Sequence, residues 1–382
     1  EMTVTYLPNG SLRFTDQSQT LSSAQLQSIQ YTTDANDPSR VTATIPIYSG
    51  YTAKFGDQII TSANNKVEMT ATTGAGSDME VVYTANAQKA QVQIFDNDAK
   101  DSALPIWQTE LSGTTAGKIV FTAGNDQLKY YLSHGYQLAA NGNDDLDGTQ
   151  FKSAFYDNVD DVEQTFVVHL VHGLKTIGVT DSYQVGEKIY ADADVTWPKL
   201  TLTKDASQTI HYQGIDGQNL ADHIDRADAV FTRTATIDLA TGTVTSYSEF
   251  TGQKTFEKDV LTPAKPGYHV AENDRLAGGL TATRDEPTPE MTVTYLPNGF
   301  LKARDASGQA MKGFVPVQYT TDENNSSQVK AVIIPTFAGY TAKINGVTVD
   351  QGIQYPIADA AQDTEVVYTA NLQKLTVEFI DQ

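Results

Sequence analysis

The chain of 382 residues has no cysteine. That excludes thiol catalysis, thiolate metal sites, disulfides and internal Cys–Gln thioesters. Positive charge is also scarce. Against 47 acidic residues stand 26 basic ones, a formal net charge of −21, with no local Lys/Arg cluster. Such a surface repels nucleic acid and anionic lipid, so neither is expected as a partner. No apolar run approaches the roughly 18 residues of a membrane span, so no membrane insertion is expected. No basic, apolar leader opens the chain and it ends inside an apparent strand, which reads as a piece of something larger. Catalytic signatures are missing as well: there is no G-x-S-x-G, no H-E-x-x-H and no P-loop. Carboxylates are so abundant that chance pairs are unavoidable, and none sits in a glycosidase context. A non-catalytic protein is expected.

Repetition is what the chain does have. Residues 1–10, EMTVTYLPNG, recur unchanged at 290–299. YTTD at 31–34 returns at 319–322, GYTAK at 50–54 returns at 339–343, and EVVYTAN at 80–86 returns at 365–371. The offset drifts only between 289 and 285. Whole-unit repetition marks an array of modules, in which valency matters more than one active site.

Short runs of alternating β-branched and aromatic residues, punctuated by Gly, Pro, Asn and Asp, read as strands and turns. Residues 230–237 and 243–250, joined by the turn 238–242, read as a hairpin with a longer loop. A single helix is expected over 125–133, where Leu128, Tyr131 and Leu132 form one apolar stripe. Asn125 would cap its start and Gly135 its end. Residues 22–29 resemble a second helix, but their counterpart contains Gly313 and Pro316, so loop plus strand is the better reading. The expected class is mostly β with α+β modules, an elongated tandem array of small domains. Its divisions are 1–6, a strand left from a preceding module, then 7–87, a connecting β module, and 88–172, a β-grasp module. A packed connector, 173–199, leads to a second β-grasp-like module, 200–296. The connecting module returns at 297–373, and 374–382 begin the next β-grasp module. Unpaired in this reading, the strands at both ends would be mobile or held by another molecule.

The motifs resemble the mucus-binding (MUB and MucBP) repeats of Gram-positive surface adhesins. Residues 88–96 (QKAQVQIFD), 135–138 (GYQL) and 166–172 (FVVHLVH) carry the pattern of one module. Residues 209–217 (TIHYQGIDG), 231–242 and Pro266-Gly267-Tyr268 carry that of the other, and 31–52 looks like the short connecting module. The resemblance implies β-grasp (ubiquitin-like) folds for the two large modules and an extracellular, cell-wall-anchored location. It also implies binding of mucin glycans or host glycoproteins, which linked modules would make multivalent, and the protein is expected to be monomeric in solution. Immunoglobulin binding, and a structural stalk presenting binding modules elsewhere, are the alternatives.

The site candidates are few. Trp107, Tyr190 and Trp197 are the aromatics for a glycan platform, with a core or junction role as the competing reading. Asn143, Asp145 and Asp147, followed by Gly148, imitate the first half of a calcium loop, but the twelfth position is Ala154 rather than Glu. A solvated Asx-rich turn competes with Ca²⁺ there, and no cofactor is required. His169 and His172 lie three apart on a strand, so they face opposite ways and read as structural.

Overall fold

Alternation in the sequence becomes alternation in burial. Along Ser11–Asp16, Leu12 and Phe14 are buried while Arg13 and Thr15 are not, and along Met79–Ala85 the buried residues are Val81, Tyr83 and Ala85. The computed structural model describes residues 1–216 and 220–380. Gly217, the last residue of the 209–217 motif, lies outside them, as do Asp381 and Gln382 of the expected final module. The chain divides into two compact units. The first comprises Glu1–Thr176, Ser182–Lys199 and Thr236–Ser246; the second comprises Ile177–Asp181, Leu200–Ala235 and Tyr247–Gln382. Small β cores follow one another along the chain, as an array of modules requires.

The first unit begins with a five-stranded sheet in the order Ile29–Gln30, Ser11–Asp16, Met79–Ala85, Tyr51–Phe55, Gln58–Ile60. A second sheet, Thr32–Thr33, Arg40–Thr44 and Lys66–Thr70, closes the core with Val41 and Met69. Residues 22–26 form a turn ahead of Ile29–Gln30, with no helix. The next core is a four-stranded sheet in the order Pro105–Thr114, Ala87–Asp96, Gln164–His172, Tyr136–Leu138. Val92, Ile94, Val168 and Leu170 are fully buried beneath Leu128 of the helix Thr122–Ser133.

That helix starts a turn earlier than the sequence suggests. Asn125 is not its cap, because the Asn125 Oδ1 accepts the Phe151 N–H at 2.9 Å from inside the helix. Its end is as expected: Gly135 takes φ +86, which a side chain would strain. The expected 230–237 arm is also divided. His223–Thr232 pairs with Thr203–Gln213, whereas Ala235–Asp238 joins a sheet with Val244–Tyr247 and Leu174–Ile177. The Asp238 carboxylate accepts the Ala240 and Thr241 N–H groups and shapes the turn between those two short strands.

In the second unit, Thr203–Gln213 lies between His223–Thr232 and Glu290–Thr294. A five-stranded sheet then repeats the first one's order, as Val317–Gln318, Phe300–Asp305, Thr364–Ala370, Tyr340–Ile344, Val347–Thr348. The repeated ten residues adopt two states. In the second copy Val293 and Tyr295 are 0% and 1% exposed; in the first, outside any strand, Val4 and Tyr6 are 67% and 86% exposed. The difference is the parallel partner, residues 209–213, which pairs with 290–294. Residues 374–380 likewise form no strand, while the corresponding 89–95 lie in a central one.

An asparagine stands where one core gives way to the next. Only Asn86 separates Met79–Ala85 from Ala87–Asp96. Its Oδ1 accepts the Thr52 hydroxyl (2.7 Å) and its Nδ2 donates to Asp160 (2.7 Å). Its N–H donates to the Gly50 carbonyl (2.8 Å), and its carbonyl accepts the Thr115 N–H (3.0 Å). In the second unit Asn298, 2% exposed, pairs with His269 through Oδ1 (2.9 Å) and donates through Nδ2 to the Tyr319 carbonyl and the Thr321 hydroxyl. Beside Asn86, Gly50 has φ +75, and a Cβ there would lie 2.7 Å from the Thr115 side chain and 2.9 Å from the Asn158 Cα. Its repeat counterpart Gly339 has φ +80, but a Cβ would meet only Gln373, at 3.8 Å. Gly339→Ala should therefore cost only its left-handed backbone, about 1–2 kcal/mol. Gly50→Ala should add roughly 1–3 kcal/mol of overpacking. Calorimetry of the two variants, showing a distinctly larger loss for Gly50→Ala, checks that the junction is packed.

Candidate functional site

The three aromatic candidates fall in separate settings. Trp107 lies in the edge strand Pro105–Thr114 opposite Ile94, half-buried against the core. Tyr190 and Trp197 belong to a small hairpin of the connector, in which Trp197 exchanges backbone hydrogen bonds with Gly186 and Glu187 at 2.9 Å. The Tyr190 ring lies 4.9 Å from that of His134, which stacks on Tyr130 at 4.0 Å. His134 is held by the Asp192 carboxylate and the Tyr130 carbonyl, both at 2.7 Å. From Tyr130 the row of rings continues through Tyr131 and Tyr136 to His172. Trp197 stands beside Tyr183, with the Lys175 ammonium 5.2 Å from its ring centre, a cation–π geometry. Each candidate is half-buried, and the exposed ring of the row is Tyr130, which the sequence reading did not single out.

The acidic loop is engaged with the neighbouring strand. The Asn143 Oδ1 accepts the His169 N–H (2.8 Å), and its Nδ2 donates to the Ala139 and His169 carbonyls. Asp145 accepts the Val167 N–H at 2.7 Å. These two side chains take the place of a neighbouring strand beyond the end of Tyr136–Leu138, while Asp147 is exposed. Among the described residues no group of three or more His, Asp or Glu is placed to hold a metal ion.

One arrangement escaped the sequence reading. His172, 10% exposed, bonds Asp238 through Nδ1 (2.5 Å) and Asp96 through Nε2 (2.9 Å). A carboxylate only accepts, so both ring nitrogens must carry protons and the imidazole is a cation. Burial alone would lower its pKa, but the hydrogen bonds to Asp96 and Asp238 outweigh that and hold it above the ordinary value. Burial would raise the Asp238 carboxyl; the His172 and Thr241 hydrogen bonds bring it below its ordinary value instead. No sequence signal links His172 to Asp238, 66 residues away.

Residues 88–172 match the family model of the mucin binding domain, and residues 198–299 match that of the Muc B2-like domain. Over these two stretches the chain carries a MucBP repeat region. Among solved structures it is similar to the type 2 repeat of the mucus binding protein MUB from Lactobacillus reuteri, at 22% identity and a TM-score of 0.39. The similarity covers 55% of this chain and 100% of that one. It is also similar to Mub-RV, at 26% identity and a TM-score of 0.35 over 55% and 99% of the two chains. A MucBP domain of a Lactobacillus acidophilus protein aligns at 23% identity with a TM-score of 0.21, covering 33% and 99%. A search of curated proteins returned no match. The assignment rests on the two family matches. Domains of these families are mucus-binding adhesin modules, typical of extracellular surface proteins and not known as enzymes. No helix among the described residues is long and apolar enough to cross a membrane.

The motifs that identify this repeat region are mostly framework. Residues 88–96 are its central strand, 135–138 its helix stop and following strand, and 166–172 the strand that ends on His172. The His172 contribution is fully present below about 6.5 and is lost as pH rises through its raised folded value. The Asp238 contribution is present above about 3.9 and is lost as pH falls through its lowered folded value. Melting temperature should therefore be highest between roughly pH 4 and 6.5, and its decline towards pH 9 should be flatter in His172→Gln. Asn143→Ala and Asp145→Ala each orphan a strand amide, at about 1–3 kcal/mol. Thermal melts of both should show that loss equally with and without EDTA; an EDTA-sensitive melt of the parent chain would return calcium to the loop.

Proposed function

We propose that this chain is part of a cell-wall-anchored bacterial adhesin that holds mucus through repeated weak contacts with mucin glycans. The match of residues 88–172 to the mucin binding domain carries this reading. Two large modules and a duplicated connecting module suit it, because linked weak sites gain about 10²–10⁴ in avidity without new contacts. In this proposal 88–172 and 200–296 bind, 7–87 and 297–373 space them, 173–199 joins the first pair, and 374–382 open a further module. The unit acts as a monomer. In this reading the half-buried Trp107, Tyr190 and Trp197 are the rings on which sugars stack.

One observation favours a second reading, capture of a host protein such as an immunoglobulin. Pro105–Thr114 is the outer strand of its sheet, and beyond it no other strand pairs among the described residues. A partner strand can add to such an edge. Surface plasmon resonance on immobilised intestinal mucin separates the readings. Binding by the full chain should fall at least about tenfold when the mucin is enzymatically deglycosylated. Unchanged binding, or tight capture of purified immunoglobulin, would transfer the function to protein recognition. No binding to mucin in either form would overturn the adhesin reading.

A further inference from the structure

We propose that a groove between the first connecting core and the mucin binding domain is a subsite for a neutral saccharide, which gives 7–87 a share in binding beyond its spacing role, a proposal that rests on the mucus-binding reading above. The groove encloses about 530 Å³ and lies wholly within the first unit. That is in the range of small-molecule sites. Its walls are aromatic. Tyr48 and Tyr51 come from one core, and Phe155 and Tyr156 from the other. Phe155 is 58% exposed, and neighbouring Ile47 is 43% exposed. Tyr156 is buried in its core and Tyr48 and Tyr51 pack partly against theirs, but core packing does not explain the open Phe155 ring, and such a face in a concavity is what the C–H face of a sugar ring stacks against.

Polar groups complete the site. The Gln25 and Asn158 amides, the Ser49 hydroxyl and the Asp157 carboxylate also line the groove. Together they offer donors and acceptors to sugar hydroxyls. Two phenols are already oriented: Tyr48 donates to the Gln25 carbonyl at 3.0 Å, and the Tyr51 hydroxyl lies 2.7 Å from that of Thr20. Among the described residues no lysine, arginine or histidine lines the groove, and the charged group there is an acid, Asp157. A sialylated or sulfated sugar would bring a negative charge to an uncompensated carboxylate, whereas a neutral one would not. The walls are also fixed relative to each other. Gly50 stands between Ser49 and Tyr51, and Asn86 hydrogen-bonds both sides, so the groove is preorganised.

The duplicated module supplies an internal comparison. The framework sequence GYTAK is identical in both copies, yet Ile47-Tyr48-Ser49 is replaced by Thr336-Phe337-Ala338. The second copy has therefore lost both hydroxyls at these positions while keeping its fold. The change falls on the groove and spares the sheet.

The test uses the full chain, titrated with N-acetylgalactosamine and with the neutral disaccharide of galactose on N-acetylgalactosamine. Saturation-transfer NMR and calorimetry report binding, and melting temperatures confirm folding. Phe155→Ala should weaken binding about tenfold, and the double change Tyr48→Phe with Ser49→Ala, which installs the second copy's residues, about fivefold. Val347→Ala, an exposed position outside the groove, should bind as the parent does, and the sialylated forms of the same sugars should bind more weakly. Unchanged affinity in both groove variants, or a preference for the sialylated forms, would overturn the site. So would binding to deglycosylated mucin that Phe155→Ala reduces, since the groove would then hold peptide. If those variants keep full mucin binding, the adhesin reading stands without the groove. If the parent chain binds neither mucin nor sugar, both fall.

Discussion

Each core depends on one contact: its first and last long strands lie side by side and parallel. Ser11–Asp16 pairs with Met79–Ala85, and Ala87–Asp96 with Gln164–His172. In the second unit Thr203–Gln213 pairs with Glu290–Thr294, and Phe300–Asp305 with Thr364–Ala370. A parallel ladder cannot be made by a hairpin, so the intervening chain must cross over the core to bring the two strands together. The two states of the repeated decapeptide show how much rests on that partner. Val293 and Tyr295 are buried where the partner exists, and Val4 and Tyr6 are exposed where it does not.

Cores this small have little apolar surface to spare, and polar side chains help them in a regular way. The hydroxyl of a buried tyrosine donates to a proline carbonyl in three of them: Tyr83 to Pro46, Tyr295 to Pro263, and Tyr368 to Pro335. Each ring contributes a large buried area while its hydroxyl remains satisfied. Burial raises all three phenol pKa values, to about 12 for Tyr368. Asn86 and Asn298 do the corresponding work at the junctions.

Much of this was legible in advance. Strand character, the modular array and the single helix follow from period-two patterning, exact repeats and one apolar stripe. What the sequence hid has physical causes. The helix start was misplaced because Asn125 uses its side chain on Phe151 rather than on its own first turn. The 230–237 arm read as continuous because nothing local marks the change of partner strand between Thr232 and Ala235. Asn86 and Asn298 are ordinary in composition and become distinctive only through partners far along the chain. The His172 cluster and the groove draw on residues dozens of positions apart, which no local spacing rule can collect. The three named aromatics are half-buried, because a ring's exposure is decided by tertiary packing, and Tyr130 and Phe155 are more open than any of them.

The parallel closure has a mechanical meaning. Because the two strands of each pair run the same way, the chain enters a core at one end of the pair and leaves it at the other. Tension between those points draws the two strands past each other lengthwise. The hydrogen bonds joining them are then loaded in shear, all together, instead of being opened one at a time as in a peeled hairpin. Under such a load the lifetime of a core is set by its rate of forced unfolding rather than by equilibrium stability. In this topology the contact that closes each core is also the one that bears the load.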